Sequence, residues 1–258
     1  MKKTTCFLLC LCFSLSLMAD ADVDKILKEF EKTLYFPNLS GSIKVEMISQ
    51  KGDVREIEAK AYQKIIDEKQ TNMLFLFDYP PTVRDTGILL HTFFNGDDNN
   101  MWIYLPAVKR IKRVALEQSG GGYFMGSDFT YSDFIMKQHD NYQREFLGKV
   151  DIDGRSCYAI KDWAKNLKER QERGYGYMVN YYSSSDFFLY ARDYYDLSEN
   201  LLKTYRVKEV LNNNGAIYPT SVVMHNVQSD HKSILKFYDY DMEEIPENIF
   251  TTRYLRNR

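Results

Sequence analysis

Four histidines, His91, His139, His225 and His231, are the side chains of this sequence best suited to proton transfer or metal binding, and their spacing supports neither. None forms the HExxH pair that puts two imidazoles one helical turn apart. His225 alternates with Met224 in a strand-like run and can face an interior, but no partner is identifiable. Nucleophile signatures are equally sparse, with no G-x-S-x-G elbow, P-loop or Rossmann glycine pattern. The GSDF of residues 126–129 imitates a nucleophile motif, yet Ser127 and Asp128 are better read as the N-cap of a short helix over 128–137. Cys157 falls within a strand-like run, where a buried thiol is inert. These residues point away from an enzyme, and nothing in them calls for a metal or a cofactor.

Two stretches rise above that background. WIYLPAVKRIKRV, residues 102–114, sets Lys109, Arg110, Lys112 and Arg113 around Ile111. Such a strip either protects an edge strand from unwanted pairing or contacts anionic headgroups or an acidic partner. SGGGYFMGSDFTYSDFI, residues 119–135, places Gly120, Gly121 and Gly122 directly before Tyr123, Phe124 and Met125, with Phe129, Tyr131 and Phe134 beyond. It reads as a hairpin loop leading into a core helix, or as a mobile apolar flap. In the second reading the glycines are the hinge, and Phe124, Met125, Phe129, Tyr131 and Phe134 line the mouth of an apolar cavity.

The elements around these stretches begin with an address. Lys2 and Lys3 precede an apolar run over 6–18, followed by Ala19 and Ala21, which is the pattern of a cleaved export signal. The run falls short of the roughly 20 apolar residues that span a bilayer. Leu9 and Leu11 precede Cys10 and Cys12, where a lipidation signal would have a small residue. Residues 1–21 are therefore expected to leave, taking three of the 4 cysteines with them. Residues 22–258 are expected to form one domain with Cys157 as its lone thiol and no internal disulfide. The formal charge of −2 becomes more negative once Lys2 and Lys3 are lost, which argues against nucleic acid as a partner. The 20 Tyr, 16 Phe and 2 Trp suit extended sheet and apolar binding surfaces.

One amphipathic helix opens the mature chain, with Val23, Ile26, Leu27, Phe30 and Leu34 at helical spacing and Pro37 beyond its end. The period then becomes two: Ile43, Val45 and Met47 alternate with polar residues, as do Ile57, Ala59 and Ala61 after a turn at Gly52-Asp53. Further strand-like runs cover 73–77, 88–94, 101–105, continuing through Pro106 into 108–116, then 146–152 and, after the Asp153-Gly154 hairpin signal, the return run from Tyr158. Runs over 177–182, 187–195, 201–211, 217–227 and 233–240 complete the chain. Together they predict roughly ten or eleven strands in meander order, mainly β with a little α. The charged stretch 165–173 is a solvated loop or helical turn. A meander of this length must curl into a barrel or half-barrel, with a helix against its concave side.

The string W-I-Y-L-P-A-x-K-R-I-x-R, a glycine-containing gap and then F-M-G-S-D-F-T-Y-x-D resembles a signature of outer-membrane lipoprotein-sorting proteins of the LolA/LolB-like superfamily, in a subgroup found in spirochaetes and other diderm bacteria. The closing IPENIFTTRYLR, residues 245–256, is similar to that subgroup's C-terminal end. The resemblance extends over essentially the whole mature chain. It implies an antiparallel half-barrel whose concave apolar face is covered by helices and a loop. It implies a periplasmic carrier that takes acyl chains of lipids or lipoproteins between envelope membranes, with only peripheral membrane contact. Some members accompany inner-membrane exporters of the resistance-nodulation-division type, which makes such an exporter a candidate partner. A structural or interaction protein of the envelope, using the same fold without cargo, is the alternative. The two differ in whether the half-barrel holds space for an acyl chain or is filled by side chains.

Overall fold

The computed structural model describes residues 23–93, 99–114, 122–134, 142–167, 170–171 and 174–257. Its main feature is one antiparallel sheet of thirteen strands in the order β6-β5-β4-β3-β2-β1-β13-β12-β11-β10-β9-β8-β7. These are β1 (Asn38–Ile48), β2 (Val54–Asp67), β3 (Gln70–Tyr79), β4 (Gly87–Phe93), β5 (Asn100–Leu105), β6 (Arg110–Val114), β7 (Tyr142–Ile152), β8 (Arg155–Ala164), β9 (Tyr177–Ser183), β10 (Leu189–Tyr195), β11 (Leu201–Asn213), β12 (Ala216–Asn226) and β13 (His231–Asp241). The expected ten or eleven strands were too few, and one run that reads as continuous in sequence, 101–116, folds as the separate strands β5 and β6. Pro106 starts a turn of 3-10 helix, Lys109 adopts a left-handed φ of 50°, and the chain reverses so that Ile111 pairs with Tyr104.

The alternation seen in sequence is the alternation of faces. Ile43, Val45 and Met47 on β1 and Ile57, Ala59 and Ala61 on β2 are all buried on one face. Phe75 and Phe77 of β3 join them, and so do Leu235 and Phe237 of β13. The Asp153-Gly154 turn has φ of 52° and 81°, the left-handed pair that a two-residue hairpin requires.

The sheet is open, since β6 and β7 are its two edges and do not pair. It is also strongly curved. Thr92 of β4 and Tyr205 of β11 line one cavity, although six strand-to-strand steps separate them. In a flat sheet they would stand roughly 29 Å apart, at about 4.8 Å per step. Successive in sequence, β6 and β7 lie at opposite edges, and residues 122–134 between them fold into the concave interior, where Phe124 is fully buried.

Among the described residues, helical cover over the concave face is limited to one end. The helix over 23–33 lays Val23, Ile26 and Leu27 against Ile160, Tyr182 and Leu189 of β8–β10. The C-terminal helix Thr252–Asn257 lies on the opposite, outer face, where Leu255 and Phe250 pack with Leu74 of β3 and Leu89 of β4. No helix of the described residues is long and apolar enough to cross a membrane, a statement that does not extend to strands. Within 128–137 the described helical structure is a 3-10 turn, Tyr131–Phe134, and the expected cap is replaced. The Ser127 hydroxyl donates to the Phe124 carbonyl at 2.7 Å, and the Asp128 carboxylate turns away to β13.

Candidate functional site

Strands β2–β4 on one side and β11–β13 on the other enclose an apolar cavity of about 210 Å³. Ala61, Met73 and Phe75 form one wall, Tyr205, Tyr218 and Val222 the other, and Leu235 and Phe237 close the floor between them. Residues 122–134 supply a further side through Phe129, Asp133 and Phe134. Burial pushes the Tyr218 phenol up to about 12, so it stays a neutral donor. Asp133 is the sole carboxylate among the described lining residues, which include no Lys, Arg or His.

That carboxylate is saturated. One oxygen accepts the Tyr194 hydroxyl at 2.7 Å. The other accepts the Thr130 amide at 2.8 Å and the Thr130 hydroxyl at 2.9 Å. Lys203 Nζ stands 3.3 Å from it, with both side chains nearly fully buried (2% and 6% exposed). The same ammonium donates to the Asp128 carbonyl at 3.0 Å and lies 4.5 Å from the centre of the Tyr194 ring. Burial, and then the nearby Asp133 charge, hold the Tyr175 and Tyr194 phenols far above their ordinary range, so both remain protonated.

A second anchor sits beside it. Asp128 accepts from the Ser233 hydroxyl at 2.7 Å and faces His231 Nδ1 at 2.6 Å. A serine, a histidine and an acid therefore meet, but not as a nucleophile relay. The carboxylate sits between the other two, the hydroxyl donates to the acid rather than to the imidazole, and none of the three lines the cavity. The cluster pins residues 122–134 to β13. Sequence reasoning missed Lys203 and Ser233, although a signal existed. Each occupies the inward phase of a strand whose neighbours in that phase, Tyr205 and Val207 or Leu235 and Phe237, belong to the apolar core. A polar residue there needs a buried partner.

The expected site residues are distributed as follows. Phe129 and Phe134 line the cavity; Phe124 and Tyr131 are buried behind them, with Phe124 4.7 Å from Phe134 between ring centres. Met125, in a left-handed conformation (φ 52°), packs against the same core. Gly122 accepts the Tyr131 amide at 3.1 Å, and the Phe124 amide donates to the Phe129 carbonyl at 2.7 Å, closing residues 122–131 into a compact loop. Gly120 and Gly121 lie outside the described residues. Lys109, Arg110, Lys112 and Arg113 are all exposed on edge strand β6 and its turn, beside the exposed Leu105 and Val108 (40% and 58%). Of the histidines, His225 pairs with Asp230 at 3.0 Å on the surface, and His91 bonds the Phe250 carbonyl on the outer face. His139 lies outside the described residues. Cys157 is fully buried, and burial raises its thiol pKa.

This architecture occurs in solved structures. A domain named for outer membrane lipoprotein sorting, from Vibrio parahaemolyticus, is similar with a TM-score of 0.82 and 21% identity, over 90% of this chain and 97% of that one. A DUF1329 family protein from Desulfovibrio piger has the same TM-score and identity, over 92% and 98%. A LolA superfamily protein from Nitrosomonas europaea reaches a TM-score of 0.66 with 18% identity, over 90% and 98%. At these identities the likeness establishes the fold. None of the curated proteins matches the sequence. A family model of the DUF1329 type, described as "Uncharacterized protein", matches residues 69–257, and the chain belongs to that family.

Proposed function

We propose that this chain is a periplasmic carrier that binds acyl chains of lipids or lipoproteins and moves them between envelope membranes without a catalytic step. The observation that carries this reading is the apolar cavity between facing walls of the curved sheet. At about 210 Å³ it exceeds the roughly 150 Å³ apolar cavity that stays dry and takes up benzene. It is smaller than the roughly 300–1,000 Å³ of a site that engulfs a whole ligand. It therefore has room for part of an acyl chain, and full entry requires Phe129 and Phe134 to withdraw. Each buried CH₂ stabilises the complex by about 0.8 kcal/mol, so even part of a chain gives useful affinity. Partial enclosure also keeps release possible.

In this reading the loop 122–131 moves as one unit about Gly120 to Gly122, carrying the aromatic residues off the cavity. The exposed cations of β6, with Leu105 and Val108 at the adjoining turn, contact anionic headgroups or an acidic partner such as an exporter of the resistance-nodulation-division type. Residues 1–21 direct the chain out of the cytoplasm and are removed. The structural neighbour named for lipoprotein sorting supports this reading by analogy of fold.

One observation favours the alternative, a cargo-free envelope interaction protein. The segment that would have to open is held by Ser233 and Lys203 through buried polar contacts. Mass spectrometry of organic extracts from natively purified protein separates the two. A carrier brings acyl lipid with it in near-stoichiometric amount. A clean extract, together with no uptake of added lipid, supports the alternative.

A further inference from the structure

We infer that the cavity contains a polar subsite at Thr71 that selects neutral acyl esters or amides over free fatty acids, an inference that rests on the carrier reading and specifies its ligand. Thr71 is 2% exposed and lines the cavity, in phase with Met73 and Phe75 on β3. Its hydroxyl oxygen is buried and makes no hydrogen bond within the protein. Its cross-strand neighbour Thr92 lines the cavity too, but the Thr92 hydroxyl is committed to the Thr71 carbonyl at 2.8 Å. Gln63 of β2 completes this wall.

An unpaired buried hydroxyl costs stability, so a cavity wall that keeps one is suited to a ligand that pairs with it. The hydroxyl can donate to a carbonyl oxygen. Thr71 lies beside the β2–β3 turn, whereas Ile43 and Phe237 line the cavity farther along the strands. A chain lying along the apolar walls can thus place the carbonyl at its head end against Thr71. The electrical surroundings decide which head end. No described Lys, Arg or His lines the cavity, and its carboxylate, Asp133, is already saturated. A buried carboxylate ligand would have no counter-charge there, while an ester or amide carbonyl needs only the single donor.

The test is displacement of a fluorescent apolar probe from the full mature chain by glycerol monodecanoate, decanoate and decane at neutral pH, using wild type, Thr71→Val and Thr71→Ser. Wild type should bind the ester more tightly than decanoate. Thr71→Val should weaken the ester roughly three- to tenfold, as loss of one hydrogen bond does, with decane affected less than twofold. Thr71→Ser should retain most of the ester affinity. The valine variant should melt no lower than wild type, because its lost hydroxyl has no protein partner. Equal ester affinity in wild type and Thr71→Val, as expected if solvent alone satisfies the hydroxyl, overturns the subsite. Decanoate binding as tightly as the ester overturns it too. In both cases probe binding remains and the carrier reading stands. If none of the compounds binds, the carrier reading falls and the subsite falls with it.

Discussion

Ser233 and Asp128 bond to each other twice: the Asp128 amide donates to the Ser233 hydroxyl at 2.9 Å, and that hydroxyl donates to the Asp128 carboxylate at 2.7 Å. The serine side chain therefore joins β13 to the interior segment much as a rung joins two strands. Replacing Ser233 with Ala leaves a buried amide and a carboxylate oxygen short of partners. The expected loss is about 1–3 kcal/mol, read as a lower urea midpoint. Hydrogen exchange of the Asp128 amide should quicken by more than that of the β1–β2 amides. An unchanged midpoint would show that this contact does not anchor the segment.

Lys203 and Asp133 form the most deeply buried ion pair described in the chain (2% and 6% exposed). Replacing Lys203 with Met leaves Asp133 facing the cavity without its cation, and the expected cost is about 3–5 kcal/mol. Adding Asp133→Asn should recover part of that loss, because the second change removes the stranded charge. Urea denaturation of both single variants and the double variant gives the coupling. Strict additivity would mean that the pair is not energetically linked.

His91 is expected to make stability depend on pH. Burial on the outer face holds its pKa below the ordinary value, partly offset by the bond to the Phe250 carbonyl at 2.9 Å. The unfolded chain takes up this proton near about pH 6.5, whereas the folded chain does so only at lower pH. Stability should therefore fall as pH drops from neutrality through that value, until the folded-state pKa is reached. Trp102, whose ring centre lies 4.9 Å from that of His91, should report the change by fluorescence. His91→Gln should flatten the slope of urea midpoint against pH between about 7 and 5.5. An equally steep slope in the variant would assign the effect elsewhere.

The cations on β6 can be tested without disturbing the core, since Arg110 and Lys112 are exposed. The pair R110E/K112E should bind phosphatidylglycerol vesicles at least about tenfold more weakly, given about 1 kcal/mol per cation near an anionic surface. Added salt should weaken the wild type in the same direction. Binding that responds to neither change would leave these residues with edge protection alone.

Much of the fold is legible in the sequence because a sheet with one dry face writes a period of two. Ile43, Val45 and Met47 gave β1 its buried face, and Asp153-Gly154 gave the β7–β8 turn its position and type. The strand count was harder, because Pro106 could end a strand or interrupt one, and the left-handed Lys109 that settles the matter has no strong local signature. The site was legible only in its apolar part. Phe129 and Phe134 stood out by residue type, whereas Ser233 meets Asp128 across 105 residues of chain and Lys203 meets Asp133 across 70. No local pattern encodes such pairings. What sequence does encode is the anomaly of a Lys or Ser in the inward phase of an apolar strand.

The central pairing of β1 with β13 has a consequence for the order in which the molecule is made. Ser42 lies beside Tyr238, and at Gly41 an added Cβ would come within 2.6 Å of the Phe237 ring, so at that position the first and last strands meet with no room for a side chain. Strands β1–β6 can pair in turn as they emerge, each with its predecessor, but β1 keeps a bare edge in the middle of the future sheet until the final strand arrives. Almost the whole chain must be present before that gap is filled, a long-range closure of the kind that slows folding and exposes apolar edge to other chains. A chaperone that shields one strand edge would therefore protect the nascent molecule best at β1, the strand that ends at its centre.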